Sequence, residues 1–528
     1  MNPFKLWNFH GGLRLAGHKE ASTGLPLAIA RLPERLIYPL SQRDGSLAQA
    51  GVAVGDRVLK GQVVARDPLD QHPPLHAASS GRVFAVESLP LLHPSGLSGP
   101  CVVIETDGED VAIAMEGVTD YRSLPPEALI RRIHEAGIVG LGGAAFPTAR
   151  KIAGSARPID TLILNGAECE PYITCDDSLM CHDAARVLSG AAMLRHILGA
   201  DRALLAVESD MPEALAAVRL AQREGDFAEV QGVPVPAVYP TGGERQLIQV
   251  LTGREVPSRG LPADIGVVCV NVGTAAAVSD ALALGQPLIS RIVTVTGRGV
   301  RQPRNFLARI GTPIADLIAQ AGGYAQDAER LIQGGPMMGF ALPSDALPIT
   351  KAANCLLVAG RGEFLAGQRV QPCIRCGACA EVCPASLLPQ QLYWHSRSEQ
   401  FERATEYHLL DCIECGCCDW VCPSRIPLAQ AFRAAKGRVA AMRRERAQAD
   451  HARMRYEARE ARKALDQQER AAAAQRRKAN LEQGSASAIR EALARAKQKR
   501  ALKSGEQAGL APNILDEAPT QDVSHESL

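Results

Sequence analysis

From Pro125 to about residue 280, short apolar runs alternate with segments that repeat apolar residues every three or four positions. "PPEALIRRIHEAG" places Leu129, Ile133 and Ala136 on one face, which predicts a helix. The apolar strands "DTLILNG" and "RALLAVE" are separated and followed by the helical segments "CHDAARVLSGAAMLRHILGA" and "MPEALAAVRLAQRE". Strands that alternate with helices predict a parallel sheet covered on both faces, within a multidomain α/β protein.

Residues 30–110 show a different pattern, of brief β segments separated by turns. In "GVAVGDRVLKGQVVA" the glycines interrupt short Val-rich runs, and "SSGRVFAVE" adds another turn and strand. The first stretch resembles half of a lipoyl/biotinyl-type barrel, "VGDxVxxGQ". Lys60 lies inside that half-motif and no hairpin tip presents a modifiable Lys, so we predict a structural β domain without an attached prosthetic group.

Three further segments complete the predicted organisation. "SRIVTVTGRGVRQPRNFLARIGTPIADLIAQAGG" predicts strand, turn, strand and helix in a compact separate unit. A small, mostly helical cysteine module follows from Gly362. Beyond Lys436 the Ala/Arg/Glu/Gln-rich chain favours helix but has almost no apolar stripe, which is typical of a solvated helix or a disordered tail. The predicted domains are residues 1–115, 120–280, 285–340, 362–436 and 437–528.

Length and composition are those of a globular protein of several domains. The chain has 528 residues, of which 46% are hydrophobic. The most apolar stretch, residues 265–285, carries Asn271, Ser279 and Asp280 and fits strand–turn–helix better than a membrane span. Residues 1–30 contain no continuous apolar core. We therefore expect neither a secretory signal nor a transmembrane segment.

Charge is distributed unevenly, although the net charge is only +1. Residues 438–503 hold 19 Lys/Arg against 8 Asp/Glu, and five acids without a base follow. The remaining body has 39 basic and 44 acidic residues, a net −5. A basic tail of this kind could contact anionic lipid or a partner protein; no nucleic-acid partner is expected.

Nine of the fifteen cysteines lie between Cys373 and Cys422. Without a secretory signal, such clustering favours metal binding over disulfides. "CIRCGACAEVCP" and "CIECGCCDWVCP" both have C-x2-C-x2-C-x3-C-P spacing, in which three thiolates bind one cluster and the fourth binds the other. The predicted [4Fe–4S] ligand sets are Cys373, Cys376, Cys379 and Cys422 for the first cluster, and Cys383, Cys412, Cys415 and Cys418 for the second.

The second motif has one cysteine more than a cluster needs. Cys417 aligns with Ala378 of the first copy, so we expect it to pack beside the cluster as a small apolar residue. The alternative metal, zinc, requires ligand sets that close locally. The doubled ferredoxin spacing argues against zinc and predicts two clusters that together conduct electrons.

A glycine-rich loop precedes the first predicted strand of the α/β domain. "GIVGLGGAAFPTARK" contains Gly140-x-Gly142-x-x-Ala145, close to the dinucleotide fingerprint. That fingerprint requires a strand before it, and here a helix precedes it, so the ordinary assignment fails. From the residues alone, a phosphate site made of bare amides and Lys151 and a tight helix–helix turn both remain open.

Four segments taken together, "GLGGAAFPTARK", "LNGAECEP", "YPTGGERQLIQVLTG" and "VNVGTAAAV", resemble the flavoprotein subunit of respiratory complex I in order and spacing. The resemblance implies a Rossmann-like domain that binds FMN non-covalently and uses NAD(H) as substrate. It implies that Gly140, Gly142 and Lys151 hold the FMN phosphate and ribityl chain, that Asn165, Glu168, Asn271 and Thr274 surround the flavin, and that Phe146 and Glu244 meet the nicotinamide as the catalytic pair.

The order of the domains resembles a more specific family. Residues 285–325 are similar to the soluble-ligand-binding β-grasp unit of complex I, whose subunit ends in a one-cluster module. The two-cluster module and the lipoyl-like domain of this chain instead resemble the C subunits of the Rnf (also called Rsx) ion-translocating electron-transport complex, over about residues 1–436. This implies a peripheral subunit on the cytoplasmic side of the inner membrane. It also implies a ferredoxin-type iron–sulfur partner and membrane subunits that couple electron flow to H+ or Na+ transport.

Two other functions use the same parts. A corrinoid reductase of similar architecture would deliver electrons to cobalamin. An electron-transfer adaptor with a lapsed flavin site would explain why Ala144, Ala145 and Gly243 replace residues of the complex I pattern. A structural scaffold would have no use for eight cysteines at ligand spacing.

Overall fold

This computed structural model describes residues 5–41, 45–154, 157–364 and 369–503. Within these residues there are seventeen strands and thirteen α-helices. The chain divides into two units, Met1–Val439 and Ala440–Leu528. The strands are β1 Ala28–Ile29, β2 Arg35–Pro39, β3 Gln49–Ala50, β4 Arg57–Val58, β5 Val63–Arg66, β6 Leu75–His76, β7 Gly81–Pro90, β8 Ser98–Thr106, β9 Thr161–Gly166, β10 Arg202–Glu208, β11 Val230–Val235, β12 Val267–Asn271, β13 Ser290–Thr296, β14 Arg304–Arg309, β15 Ala328–Gln333, β16 Phe340–Ala341 and β17 Cys355–Gly360. The helices are α1 Glu20–Thr23, α2 Pro126–Glu135, α3 Thr148–Ala153, α4 Cys175–Leu198, α5 Pro212–Glu224, α6 Glu244–Thr252, α7 Val272–Ala283, α8 Ile314–Gln320, α9 Ala378–Glu381, α10 Pro389–Arg397, α11 Phe401–Glu406, α12 Cys417–Trp420 and α13 Leu428–Lys503.

The N-terminal region consists of two small sheets, in the orders β2-β8-β7-β4 and β3-β5-β6. Alternate residues of β2, such as Leu36 and Tyr38, are buried in their shared core. The buried Tyr38 hydroxyl accepts a hydrogen bond from the backbone N–H of Ala78 at 2.7 Å. These short strands separated by turns are the β architecture that the sequence predicts.

The central sheet is parallel and has the order β11-β10-β9-β12. Leu162 and Leu164 of β9 pack against α2, α4 and α7 on one face, whereas Ile163 packs against α6 on the other. This alternation follows from the period of two along a strand. The predicted parallel sheet with both faces covered is therefore present.

Strands β10 and β11 lie on one side of β9, and β12 lies on its other side. The strand order therefore reverses direction at β9. Such a reversal opens a crevice at the carboxyl ends of the two central strands. Asn165 of β9 and Asn271 of β12 are register partners at that edge. Helices α4 and α7 start in the residues that follow the two strands.

Helix α4 begins earlier than the pattern predicts. The sequence indicated a helix from Cys181, whereas the structure starts it at Cys175 and kinks it at Asp183, where φ is −151°. The carboxylate of Glu168 accepts hydrogen bonds from the N–H groups of Asp176 and Asp177. It thereby satisfies amides of the first turn that otherwise lack partners.

A six-stranded mixed sheet, β1-β14-β13-β17-β15-β16, follows the flavoprotein-like region. The predicted strand–turn–strand–helix of residues 290–320 is present as β13, β14 and α8. One of its two central strands, β17, comes from Cys355–Gly360, and one of its edge strands, β1, comes from Ala28–Ile29. The sheet thus combines segments from distant parts of the sequence.

The cysteine region folds as the predicted small helical module. Short helices α9 to α12 surround a core that includes Leu392, Phe401, Leu409 and Phe432. Several of the cysteines pack at the edge of that core.

The second unit is helical over residues 440–503, with its side chains almost entirely exposed. Its described ion pairs join residues three or four positions apart, such as Lys463 and Glu460. Across the described ranges of the chain, no helix has both the length and the apolar character needed to cross a membrane.

Candidate functional site

The two cysteine motifs have the same backbone conformation. Arg375 and Glu414 occupy equivalent positions with φ of 57° and 58°, and Gly377 and Gly416 follow with φ of 85° and 74°. Each loop then enters a four-residue helix, α9 or α12. These left-handed residues turn the chain tightly enough for the cysteines of one motif to face a common space.

The eight predicted cluster ligands divide between two cavities. This division is the one that the spacing predicts, because the fourth cysteine of each motif lines the cavity of the other motif. Four thiols around each space fit the all-cysteine ligation of a [4Fe–4S] cluster. The assignment of individual ligands stays a prediction. The first cavity is lined by Cys373, Cys376, Cys379 and Cys422, and the second by Cys383, Cys412, Cys415 and Cys418.

Cys417 also lines the second cavity. It is fully buried and packs with Cys415 and Tyr239. This position suits the expected role of a small packing residue. The Cys417→Ala variant separates a packing role, which leaves the iron content unchanged, from a ligand role, which lowers it.

The residues predicted to surround a flavin meet at the crevice between β9 and β12. Asn165 Nδ2 donates to the carbonyl of Gly242 at 2.8 Å. Asn271 Oδ1 accepts from the N–H of Gly273 at 2.9 Å, which caps the start of α7. Thr274 Oγ1 accepts from the N–H of Leu141 at 2.8 Å and so ties the glycine loop to α7.

The glycine loop lies over this crevice and has little side-chain cover. It is closed by a hydrogen bond from the N–H of Gly140 to the carbonyl of Phe146 at 2.8 Å. A Cβ atom on Gly142 would stand 3.5 Å from Cβ of Asn271. Gly142, Gly143 and Ala144 are exposed, and Phe146 is half-buried. A loop without bulky side chains at the carboxyl end of a parallel sheet fits the phosphate end of FMN.

The structure brings Lys151 and Glu244 into contact. Lys151 Nζ lies 2.5 Å from Glu244 Oε1, and both side chains are partly exposed. The resemblance to complex I assigns Lys151 to the FMN phosphate and Glu244 to the nicotinamide. Their ion pair therefore joins the two halves of the predicted site.

Glu168 is turned toward the start of α4. Its carboxylate accepts from the N–H groups of Asp176 at 3.0 Å and Asp177 at 3.1 Å and from Sγ of Cys175 at 3.1 Å. Burial, followed by the neighbouring Glu168 charge, raises the pKa of Asp176 to about 8. Asp176 in turn accepts from Asn271 Nδ2 at 2.6 Å. The acidic residues thus brace the crevice, and a flavin contact by Glu168 stays a prediction.

Sequence reasoning missed two buried cations behind the glycine loop. Arg291 Nη2 donates to the carbonyl of Leu141 at 3.0 Å. Lys351 Nζ donates to the carbonyls of Gly137 at 2.6 Å and Pro74 at 3.1 Å. These partners lie far away in sequence, and neither cation belongs to a recognisable motif, so no local pattern could reveal them.

The segment from Tyr239 to Gln246, which includes Glu244 and the first turn of α6, also contacts the cysteine module. The hydroxyl of Tyr239 donates to the carbonyl of Cys415 at 2.6 Å, and Gln246 Nε2 donates to the carbonyl of Pro384 at 3.2 Å. Both acceptors lie in residues that line the second cavity. One segment of the chain, from Tyr239 to Gln246, therefore contacts both the crevice and the lining of the second cavity.

Comparison with protein-family models finds four matches along the chain. The matches are the RnfC barrel sandwich hybrid domain over residues 7–109, the Nuo51 FMN-binding domain over 133–280, the SLBB domain over 292–341 and the 4Fe-4S dicluster domain over 372–426. They confirm the predicted cofactor classes, FMN and [4Fe–4S] clusters. They also support a multidomain α/β protein with a barrel-sandwich hybrid, an FMN-binding domain and a ferredoxin module.

Curated relatives decide the family. The C subunit of the ion-translocating oxidoreductase complex of Serratia proteamaculans (strain 568) is 45% identical over 514 residues, which cover 96% of this chain and 72% of the relative. The chain belongs to the family of C subunits of the ion-translocating oxidoreductase complex. The C subunits of Klebsiella pneumoniae (strain 342) and Pseudomonas aeruginosa are 47% and 50% identical over 94% and 88% of the chain.

The chain is shorter than these two relatives, of which it spans 65% and 60%. Among solved structures, NAD+-reducing [NiFe]-hydrogenase in its H2-reduced state is similar over 63% of this chain and 69% of the hydrogenase chain, at 19% identity and a TM-score of 0.41. The air-oxidized form matches 53% of this chain and 54% of its own at 22% identity and a TM-score of 0.40. Likeness at this level carries no argument about function.

Proposed function

We propose that this C subunit transfers electrons between NAD(H), FMN and two [4Fe–4S] clusters, within a membrane complex that couples the transfer to ion translocation. FMN, when bound, exchanges electron pairs with nicotinamide and single electrons with the clusters. The proposed nicotinamide-side residues are Glu244 and Phe146. The proposed FMN contacts are Gly140, Gly142, Lys151, Asn165, Glu168, Asn271 and Thr274.

The observation that carries the proposal is the contact between the crevice and the second cavity. The segment from Tyr239 to Gln246 lines one end of the crevice through Gly242 and Glu244, and it bonds to Cys415 and Pro384 of the cysteine module. The same segment thus contacts the crevice and the lining of the Cys383/Cys412/Cys415/Cys418 cavity. We infer that these four cysteines would hold the cluster that lies on the side of a flavin bound in the crevice.

The residues of the chain have defined tasks in this proposal. The open amides of the glycine loop would bind phosphate, and Lys151 would add a positive charge beside them. Thr274 and Arg291 fix the loop by bonding the N–H and the carbonyl of Leu141. Glu244 would orient the nicotinamide carboxamide by accepting its hydrogen bond. The Lys151–Glu244 contact must open or rearrange when both ligands bind.

We also propose folds for two of the domains and a location for the protein in the cell. We propose a Rossmann-like flavoprotein fold over residues 120–280 and a β-grasp fold over 285–340. The other proposed domains are residues 1–115, 362–436 and 437–528. We further propose a position on the cytoplasmic side of the inner membrane, beside a ferredoxin-type subunit, with H+ or Na+ as the coupled ion.

An adaptor without a working flavin site is the second candidate. It is favoured by one observation, that Lys151, Glu168 and Glu244 already have partners within the protein. In that case the two clusters would accept electrons from a separate flavoprotein.

Replacement of Glu244 tests the nicotinamide role. Glu244→Gln keeps the size and hydrogen-bonding capacity of the side chain but removes the charge that pairs with Lys151. We expect it to impair reduction of the reconstituted holoprotein by NADH by at least about tenfold, the scale of one strong charge-assisted contact. The matched control is Glu255→Gln, a nearby exposed carboxylate. Equal NADH rates in wild type and both variants, with equal FMN and iron contents, would reject this role.

A further inference from the structure

The cysteine module is an internal repeat with an offset of 39 residues, the separation of Cys373 in the first motif from Cys412 in the second. The same offset relates the helices that follow the two motifs. Tyr393 of α10 lines the first cavity, and Phe432 of α13 lines the second. The offset therefore identifies, for a side chain beside one cluster site, its counterpart beside the other.

Each helix has a cation at the same repeat position, but the two cations have different partners. Lys436 of α13 lies within the first unit, and its Nζ donates to the carbonyl of Cys412 at 2.5 Å. Its counterpart on α10 is Arg397, which is exposed and donates instead to the hydroxyl of Tyr393 at 3.3 Å. The side chain of Lys436 is only 20% exposed. The second site therefore has a largely buried cation that is fixed to the backbone of its cysteine loop.

Acidic residues balance this cation. Glu414 Oε1 lies 2.9 Å from Lys436 Nζ, and Glu414 Oε2 lies 2.9 Å from Arg433 Nε. A further acid, Asp419 of α12, accepts a hydrogen bond from the N–H of Ala429 at 2.9 Å. Because Glu414 pairs with two cations, loss of the Lys436 charge and loss of the Glu414 charge change the electrostatic potential at the second loop in opposite directions.

The second loop is also the more buried of the two. Cys415 is 7% exposed, and a Cβ atom on Gly416 would stand 2.8 Å from the carbonyl oxygen of Met337. In the first loop Ile374 is 68% exposed. Because charges interact more strongly in a protein interior than in water, a fixed charge has more effect at the second site than at the first.

A cation in this position affects redox chemistry, because reduction of an iron–sulfur cluster adds one negative charge. The net charge around a cluster is one of the factors that set its reduction potential. Two unit charges roughly 10 Å apart, at an effective dielectric constant of about 20, change an equilibrium constant more than tenfold. A lysine ammonium fixed to the carbonyl of a predicted ligand therefore stabilises the reduced form to a measurable extent.

We propose that Lys436 is a positioning residue that raises the reduction potential of the cluster in the second cavity and that Glu414 opposes it. The inference rests on the proposed function for the presence of that cluster. Lys436 acts through its charge and its bond to the carbonyl of Cys412, and it is not a ligand. The step that it favours is the transfer of one electron, in which the donor is oxidised, the cluster is reduced and no bond forms or breaks.

The test is an anaerobic redox titration of the full chain with both clusters assembled, with dithionite as reductant and electron paramagnetic resonance as the readout. Lys436→Met keeps the length of the side chain without its charge. We expect it to lower one of the two midpoint potentials by at least about 59 mV, which is a tenfold change for one electron. Glu414→Gln should raise the potential of the same resonance signal. Lys436→Arg keeps the charge and should leave both potentials close to those of the wild type.

The matched control is Arg397→Met, which removes a positive charge at the repeat-related position. It should change neither equilibrium by more than about twofold, because the exposed Arg397 charge is screened by water and salt. Equal shifts in Lys436→Met and Arg397→Met would overturn the proposal, since a general loss of positive charge would then be responsible. Wild-type potentials in Lys436→Met would overturn it as well, and so would a Lys436→Arg variant that behaves like Lys436→Met.

Glu414→Gln keeps the proposal testable if Lys436→Met assembles fewer clusters than the wild type. In that case a potential that does not rise in Glu414→Gln overturns the role of Lys436, and a potential that rises supports it. These results concern the tuning alone, because both clusters are present in the protein that is titrated. Wild-type protein that assembles no clusters would overturn the proposed function together with the tuning.

Discussion

Lys351 provides the sharpest prediction about pH and stability. Its ammonium group is buried with carbonyl partners on Gly137 and Pro74, and burial lowers the pKa of Lys351 from 10.5 to about 7. Burial, together with the positive charges of Lys351 and Arg66, lowers the pKa of the adjacent His76 to about 3. His76 is therefore neutral from pH 7 to pH 10.5. The folded and unfolded pKa values of Lys351 thus bracket the neutral to alkaline range, and comparison with a variant that lacks the amine isolates its contribution from that of other titrating groups.

The sign follows from proton binding. Between pH 7 and 10.5 the unfolded chain holds a proton on Lys351 that the folded chain releases, so stability rises with pH in this window. From pH 7 to pH 9.5 the gain is at most about 3 kcal/mol, since one pKa unit corresponds to about 1.4 kcal/mol. The hydrogen bonds to carbonyl oxygens favour the protonated amine and make this an upper limit.

The assay compares wild type with Lys351→Met, which keeps the length of the side chain without its charge. Urea unfolding of both proteins, followed by circular dichroism under anaerobic conditions, would be measured at several pH values from 7 to 9.5. We expect the wild type to gain stability relative to the variant as pH rises. Parallel curves for the two proteins across this range would refute the reasoning, because the buried amine would then titrate equally in both states.

Other residues give equally specific predictions. Cys379→Ala should lose one cluster and Cys417→Ala should lose none, as measured by iron content; the reverse result would overturn the ligand assignment. Arg291→Met should weaken FMN binding, measured by flavin fluorescence, because it frees the carbonyl of Leu141, and it should destabilise the fold by about 1–3 kcal/mol, the cost of leaving a buried acceptor unsatisfied. Unchanged FMN affinity in this variant would show that the loop does not need the bond.

Hydrophobic periodicity and cysteine spacing predicted the parts of the structure that depend on residues close together in sequence. The parallel sheet follows from alternating strands and helices, and the two cavities follow the cysteine spacing, since each motif sets its own loop conformation. The presence of a small helical module around the cysteines was also predicted. In these regions local pattern and tertiary packing agree.

Features that depend on distant partners could not be predicted. Strand β17 joins the mixed sheet through pairing with β13 and β15, and nothing near Cys355 indicates this. No sequence pattern indicated that the carboxylate of Glu168 binds the start of α4. The burial of one cysteine loop and the exposure of its copy depend on Met337, which is distant in sequence. Such outcomes arise from which surfaces meet in three dimensions.

The central claim is that electrons pass from nicotinamide to the clusters through a flavin bound in this one chain. The most direct measurement is the anaerobic visible spectrum of cluster-reconstituted protein after NADH is added, with and without FMN, and with dithionite as a control. We expect NADH to bleach the iron–sulfur absorbance when FMN is present and to leave it unchanged when FMN is absent. Bleaching by dithionite but not by NADH in the presence of FMN would contradict the account and favour the adaptor.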